Sequence, residues 1–254
     1  MHADIWYSAA MRTMTLDRIL QSQGFGSRKY CRDLISTGEV TVDDNVVDDY
    51  RTAYHTDGLR FSLFDEEWLY REHVYIALNK PANFECSRKP SHHPGVLKIL
   101  PEQFTWREVQ PVGRLDHDTT GLLLMSDDGP FIHAQSSPKR HVPKLYRATT
   151  DTPVTPDLVV RLMAGVQLHD EPLPLAARSC QIVDDRRIDI VVEQGKYHQV
   201  KRMLAAAGNH CTALQRLAIG ALTLEALALE PGQWCYLESA QLALLTAGPR
   251  LTQP

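Results

Sequence analysis

Long apolar runs are missing from this 254-residue chain: no stretch approaches the roughly 20 residues that a membrane-spanning helix needs. Residues 1–10 have neither the basic start nor the apolar centre of a secretory signal, so a cytoplasmic protein is expected. Cysteine is scarce. Its five copies, Cys31, Cys86, Cys180, Cys211 and Cys235, are scattered without a C-x-x-C pair, which disfavours a disulfide framework and structural zinc. A strong charge of one sign is absent as well: 27 basic against 31 acidic residues leave a net charge of −4, too little to coat nucleic acid or anionic lipid non-specifically. Internal repeats and low-complexity segments are lacking, which excludes solenoids and disordered tails as the main architecture.

The charges present are segregated. Residues 138–147 contain Lys139, Arg140, Lys144 and Arg147 and no acid, and residues 194–216 contain Lys196, Lys201, Arg202 and Arg216, again with none. Two such windows are either a groove for an anionic partner or solvated helix faces. Near the start, Leu16, Ile19 and Leu20 mark one short helix before Gly24 and Gly26, and Ser27 stands where a second helix would be capped. On that second helix Tyr30, Cys31, Leu34 and Ile35 share an apolar arc, opposite Arg28, Lys29 and Arg32. Val40 and Val42 alternate, and with Val46-Val47 across Asp43-Asp44-Asn45 they read as a hairpin. Acidic and polar residues around 63–72 read as a linker. Beyond it, strands are expected from His73, through Leu122 to Met125, at 145–150, 188–193, 212–217 and 221–224. Helices are expected at 130–135, 156–164, 197–207 and 239–245. That order predicts an α+β protein with a mixed, largely antiparallel sheet flanked by helices.

The densest polar segment runs from Pro111 to Met125, P-V-G-R-L-D-H-D-T-T-G-L-L-L-M. Taken alone, Asp116-x-Asp118-x-Thr120 fits the D-x-D-x-T loop of aspartate-nucleophile phosphotransferases, which bind Mg²⁺ through both carboxylates. The apolar strand that should precede the first Asp is broken by Gly113-Arg114, which weakens that reading. The full string resembles the G-R-L-D-x-x-T-[ST]-G-L-L signature of pseudouridine synthases. Four further strings fit the same family: Leu78-Asn79-Lys80-Pro81, the tyrosine of Lys144-Leu145-Tyr146-Arg147, the Glu193-to-Leu204 string E-Q-G-K-Y-H-Q-V-K-R-M-L, and Gln215-Arg216-x-x-Ile219-Gly220. The 193–204 string is similar to the RsuA branch, which acts on small-subunit ribosomal RNA, and residues 14–62 resemble the S4 RNA-binding module. Asn83 stands where the family usually has glycine, and asparagine tolerates the left-handed backbone that such a turn requires.

With the signal-poor start read as a tail (1–13) and the acidic stretch as a linker (63–72), the resemblance implies an S4 module (14–62) and a catalytic domain (73–254). It implies a cofactor-free isomerisation of uridine to pseudouridine in small-subunit ribosomal RNA by a monomer. Large-subunit RNA, or a non-catalytic S4 protein of ribosome assembly, is the alternative. Asp116 takes the catalytic place, Tyr146 stacks on the uracil, and Lys201 pairs with the aspartate; Arg114 fills the gap left by a flipped base. Arg28, Lys29, Arg32, Lys80, Lys139, Arg140, Lys144, His198, Arg202 and Arg216 are the expected RNA contacts. His117 is assigned no role, and Asp118 is expected to shape the loop.

Overall fold

The computed structural model describes residues 12–87, 89–137 and 140–248. Residues 1–11 of the expected tail and the expected RNA contact Lys139 lie outside them. The chain divides into two units, the first running to Val74 and adding Leu100–Val109, the second comprising Tyr75–Ile99 and the rest.

In the first unit Thr13–Thr15 (β1) leads into Leu16–Ser22 (α1) and Arg28–Ser36 (α2). The Ser27 hydroxyl accepts from Tyr30 N–H at 3.3 Å, the expected cap. Cys31, Leu34 and Ile35 are buried with Leu16, Ile19 and Leu20, whereas Tyr30 is half exposed and leaves the apolar arc assigned to it. Val40–Val42 (β2) and Asn45–Val46 (β3) form the hairpin, followed by Ala53–His55 (β4), which pairs with β1. Thr13 therefore belongs to a strand rather than a tail. Asp43 and Asp44 both take φ near +50 to +60°, the two-residue turn whose twist matches paired strands.

The expected linker is not a linker. Arg60–Leu63 (β5) and Glu66–Leu69 (β6) pair across a second turn, Phe64-Asp65, with the same left-handed backbone, giving the sheet order β3-β2-β5-β6. Burial explains it: Phe61 and Leu63 face the core, and the Trp68 ring meets Phe25 edge-on at 4.9 Å. Glu102–Trp106 (α3) also belongs to this unit, so 73–254 is not one continuous domain. A Cβ on Gly24 would lie 2.2 Å from the Gln103 carbonyl oxygen, so only glycine permits that approach. Arg107 ties the segment further by donating to the carbonyls of Arg71 and Glu72.

The second unit is built on Tyr75–Lys80 (β7), Gln110–Pro111 (β8), Thr120–Ser126 (β9), Lys144–Thr150 (β10), Ser179–Ile182 (β11), Arg187–Val192 (β12), Cys211–Ile219 (β13), Leu222–Thr223 (β14) and Trp234–Tyr236 (β15). Its helices are Gly129–Ser136 (α4), Pro156–Ala164 (α5), Gln199–Ala206 (α6), Leu224–Leu227 (α7) and Ser239–Leu244 (α8). The order β11-β12-β10-β13-β9-β7-β15 is antiparallel throughout except where β13 and β9 run parallel, Gln215 opposite Thr120 and Arg216 opposite Gly121. The mixed, largely antiparallel α+β class is as expected. The unbroken apolar run of β9 suits its place inside the sheet, covered on both faces. At Gly121, where φ is +99°, a Cβ would come within 2.2 Å of the Arg216 carbonyl oxygen, so the parallel pair needs glycine.

Two buried charges organise the units. Asp17, 1% exposed, accepts from Arg28 Nε at 2.8 Å, Arg32 Nε at 2.7 Å and Thr15 Oγ1 at 2.6 Å. Burial pushes this carboxyl up, but the Thr15 bond and the two guanidinium groups outweigh it and hold the pKa at about 2. Lys80, wholly buried at the end of β7, donates to the carbonyls of Pro81 (3.1 Å), His117 (3.1 Å) and Thr119 (2.8 Å). It is thus a structural anchor rather than the expected RNA contact. Burial pushes its ammonium below the usual lysine range, opposed by the carboxylate charges of Asp118 and Asp116.

Because the folded pKa of Asp17 lies below its unfolded value, its contribution is complete above about pH 4 and is lost as pH falls towards 2. Asp17→Asn should remove roughly 2 kcal/mol at pH 7 and flatten the acid limb of a urea-denaturation pH profile. Lys80→Met leaves three carbonyls without their donor. It should cost roughly 3 kcal/mol in thermal melting and speed amide exchange between 113 and 119 ahead of the rest of the chain. Uniform exchange rates in that variant would refute the anchoring role.

Candidate active site

Residues 112–119 connect β8 to β9, and Lys80 grips this loop through its backbone. The Asn83 N–H adds a hydrogen bond to the His117 carbonyl at 2.7 Å, and Asn83 has the left-handed backbone expected of it, φ 66°. Held this way, Asp116 faces the first turn of α6. His198 Nε2 lies 3.1 Å from one carboxylate oxygen and Lys201 Nζ 3.5 Å from the other. His198 precedes α6 with φ 46°, and its ring stacks on Tyr197 at 3.8 Å. The far face of α6 buries Val200, Met203 and Leu204, so the helix is packed on one side and polar on the other, as its periodicity predicts.

Lys201 has a closer partner than Asp116. Its Nζ lies 2.7 and 2.8 Å from the two oxygens of Asp118, which corrects the reading of Asp118 as a loop-shaping residue alone. Burial raises the Asp118 carboxyl, but the Lys201 hydrogen bond and charge outweigh it and hold it below the usual carboxylate range. Lys201, lowered by burial, is held above its usual value by Asp118 first and Asp116 second. One ammonium thus bridges two carboxylates. The His117 ring lies flat against His93 at 4.4 Å.

Beside Asp116 opens a cleft lined by Tyr146 from β10, Arg216 from β13, Gln135 from α4 and Lys144. Tyr146 is buried with its ring part of the lining, and Arg114 stands exposed in the same cleft without a hydrogen-bond partner among the described residues. Arg216, expected as an RNA contact in a basic window, is 3% exposed. Its Nε donates to the Leu122 carbonyl at 2.6 Å and its Nη1 to the Tyr146 hydroxyl at 3.4 Å. Lys144 is half-buried and donates to the Val142 carbonyl at 2.7 Å. Burial, reinforced by Arg216, lowers its pKa to about 8. These two residues belong to the wall of the cleft rather than to an open basic face.

The remaining expected contacts, and Lys196 of the same acid-free window, are less free than such a window suggests. Lys196 Nζ pairs with Glu171 at 2.9 Å and Arg202 with Asp170 at 3.5 Å. Arg28 and Arg32 share Asp17, with Arg32 also 4.8 Å above the Tyr50 ring. Lys29 and Arg140 are exposed. The partners Asp170 and Glu171 escaped sequence reasoning because they sit 32 and 25 residues from Arg202 and Lys196, with no local pattern. Gln135 was missed because a glutamine at the end of a short helix carries no signal.

Family comparison places this arrangement. The RNA pseudouridylate synthase model matches residues 74–206, and the S4 domain model matches residues 14–56. The chain is 37% identical over 232 residues to ribosomal small subunit pseudouridine synthase A of Escherichia coli (strain K12), covering 91% of this chain and 99% of that one. An uncharacterized RNA pseudouridine synthase, YtzG, of Bacillus subtilis (strain 168) is 34% identical over 236 residues, covering 91% and 98%. Among solved structures, a pseudouridylate synthase crystal structure superposes with a TM-score of 0.64 at 30% identity, covering 91% of this chain and 99% of that one. These matches overturn the phosphotransferase reading of Asp116-x-Asp118, whose second carboxylate is in any case taken by Lys201. With an S4 domain ahead of that catalytic match, the chain belongs to the RNA pseudouridylate synthase family, which isomerises uridine in RNA to pseudouridine.

Proposed function

We propose that this enzyme modifies one uridine of small-subunit ribosomal RNA in the cytoplasm, acting as a monomer with Asp116 as nucleophile and no cofactor. The observation that carries the chemistry is the Asp116 carboxylate, faced by His198 and Lys201 beside the cleft that Tyr146 lines. Similarity to small-subunit synthases over almost their whole length supports the choice of RNA.

The reaction breaks the N1–C1′ bond, turns the uracil, and joins C5 to C1′; the C5 proton leaves and N1 gains one. Nothing is oxidised or reduced, so atoms balance without a co-reactant. A carboxylate can carry the sugar or the base covalently while the ring turns. Lys201 and His198 orient the carboxylate, and Asp118 keeps Lys201 from rotating away. The uridine reaches Asp116 only when out of its stack; the Tyr146 ring then replaces a neighbouring base, and Arg114 fills the vacated place. Arg28, Lys29, Arg32, Arg140 and Arg202 meet phosphates, which position the RNA without reading its sequence.

Asp116→Asn keeps the shape and removes the nucleophile. Pseudouridine formation, followed by tritium release from C5-labelled ribosomal RNA, should fall by ~10⁴-fold with binding nearly unchanged. Residual activity above a few per cent would defeat the assignment, and a wild-type chain that binds but releases no tritium would make it a binder. Replacing Asp170 and Glu171 by Asn and Gln unmasks Arg202 and Lys196. Low-salt affinity should rise, and the slope of log K against log salt should steepen by roughly 0.7–0.9 for each new phosphate contact. An unchanged slope in filter binding between 50 and 300 mM salt, on the order of the range over which such contacts show, would mean that neither cation meets RNA.

A further inference from the structure

Five buried side-chain polar atoms among the described residues have no hydrogen-bond partner: Trp68 Nε1, Thr119 Oγ1, Gln135 Oε1, Arg202 Nη2 and Arg216 Nη2. Those of Thr119, Gln135 and Arg216 belong to residues lining the cleft that holds Asp116 and Tyr146. Buried polar groups left unpaired are rare and destabilising, so three around one cavity indicate a ligand that supplies the missing partners.

Their chemistry is selective. Arg216 can only donate, and with Nε fixed by the Leu122 carbonyl and Nη1 near the Tyr146 hydroxyl, its free Nη2 has little choice of direction. Gln135 Oε1 can only accept. The edge of uracil presents the complementary pattern, with a donor at N3–H beside an acceptor at O4. Cytosine presents the reverse, an unprotonated N3 and an amino group at position 4. The Thr119 hydroxyl both donates and accepts and so does not distinguish the two bases.

We propose that Arg216 and Gln135 read the edge of the uracil stacked on Tyr146, Arg216 Nη2 donating to O4 and Gln135 Oε1 accepting from N3–H. Cytidine entering the cleft would meet Arg216 donor to donor and leave both protein groups unpaired, the arrangement by which buried polar sites reject near-isosteres most strongly. Tyr146 supplies affinity for any base, and this pair restricts it to uridine. The inference rests on the uridine-modifying function proposed above and adds to it the residues that select the base.

The test compares affinities of uridine 5′-monophosphate, cytidine 5′-monophosphate and 3-methyluridine 5′-monophosphate for the full-length enzyme and two variants, with thermal melting as the folding control. Wild type should prefer the uridine nucleotide to the cytidine nucleotide by at least about tenfold. Gln135→Leu should weaken the uridine nucleotide about tenfold while binding 3-methyluridine, which has no N3–H to donate, as well as wild type does. Arg216→Gln keeps a donor near Leu122 but removes Nη2, and should bring the uridine-to-cytidine ratio towards one. Should Arg216→Gln fail to fold, the Gln135 comparison decides alone. Equal losses for all three nucleotides in Gln135→Leu, or a wild type without preference, overturns the proposal. Pseudouridine formation in ribosomal RNA, measured alongside, separates the readings: activity with base preference untouched by Gln135→Leu sinks the edge reading alone, and no activity sinks the function beneath it.

Discussion

Everything at the active centre depends on a lysine that never meets solvent. The ammonium of Lys80 holds three carbonyl oxygens, two of them from the loop that carries Asp116, so the catalytic segment is fastened by its backbone while its side chains stay available. A hydrophobic residue of the same length could fill the space but could not satisfy those carbonyls, and the loop would have to turn them outward. Desolvation of the charge is the cost of this arrangement, and the nearby carboxylates of Asp118 and Asp116 offset part of it. The anchor and the site it supports therefore stabilise one another.

A second theme is that cations are seldom left alone. Lys201 lies between two carboxylates, Arg28 and Arg32 share a buried one, and Lys196 and Arg202 lean on Glu171 and Asp170. A chain with net charge −4 can bind an anionic polymer in this way without collecting every polyanion in the cell. Partial neutralisation makes binding conditional: a phosphate must offer more than the carboxylate it displaces, which a correctly shaped RNA offers at many points at once and a random strand does not.

Much of this was legible in the residues, for identifiable reasons. The two-faced helix containing Lys201, the Ser27 cap, the apolar β9 strand and the Asp43-Asp44 turn are local patterns, and local patterns survive folding when tertiary contacts agree with them. The Asp116 loop and Tyr146 were visible through ordered strings spread over the chain. Illegible were features set by distant partners. The Phe64-Asp65 turn puts a bulky aromatic at a left-handed position in an acidic stretch, where glycine or asparagine would have marked a hairpin, so a paired strand looked like a linker. Lys80 and Arg216 looked like surface cations because nothing adjacent in sequence says that a lysine is surrounded by carbonyls or an arginine enclosed between strands. The carboxylate nearest to Lys201 was hidden for the same reason: Asp116 and Asp118 both belong to the motif, and only their three-dimensional placement separates them.

The parallel pairing of β9 with β13 joins Thr120 to Gln215 and Gly121 to Arg216, partners about a hundred residues apart. Such a contact is slow to form, because the intervening chain must be ordered or looped before the pairing stabilises anything. During synthesis Asp116 leaves the ribosome well before His198, Lys201 and Arg216 exist. The N-terminal helices and hairpin, whose contacts are short in range, can acquire their shape much earlier. The nascent chain thus passes through an interval in which its first helices are formed and its reaction centre is not, so that a growing polypeptide capable of touching RNA has no means of altering it.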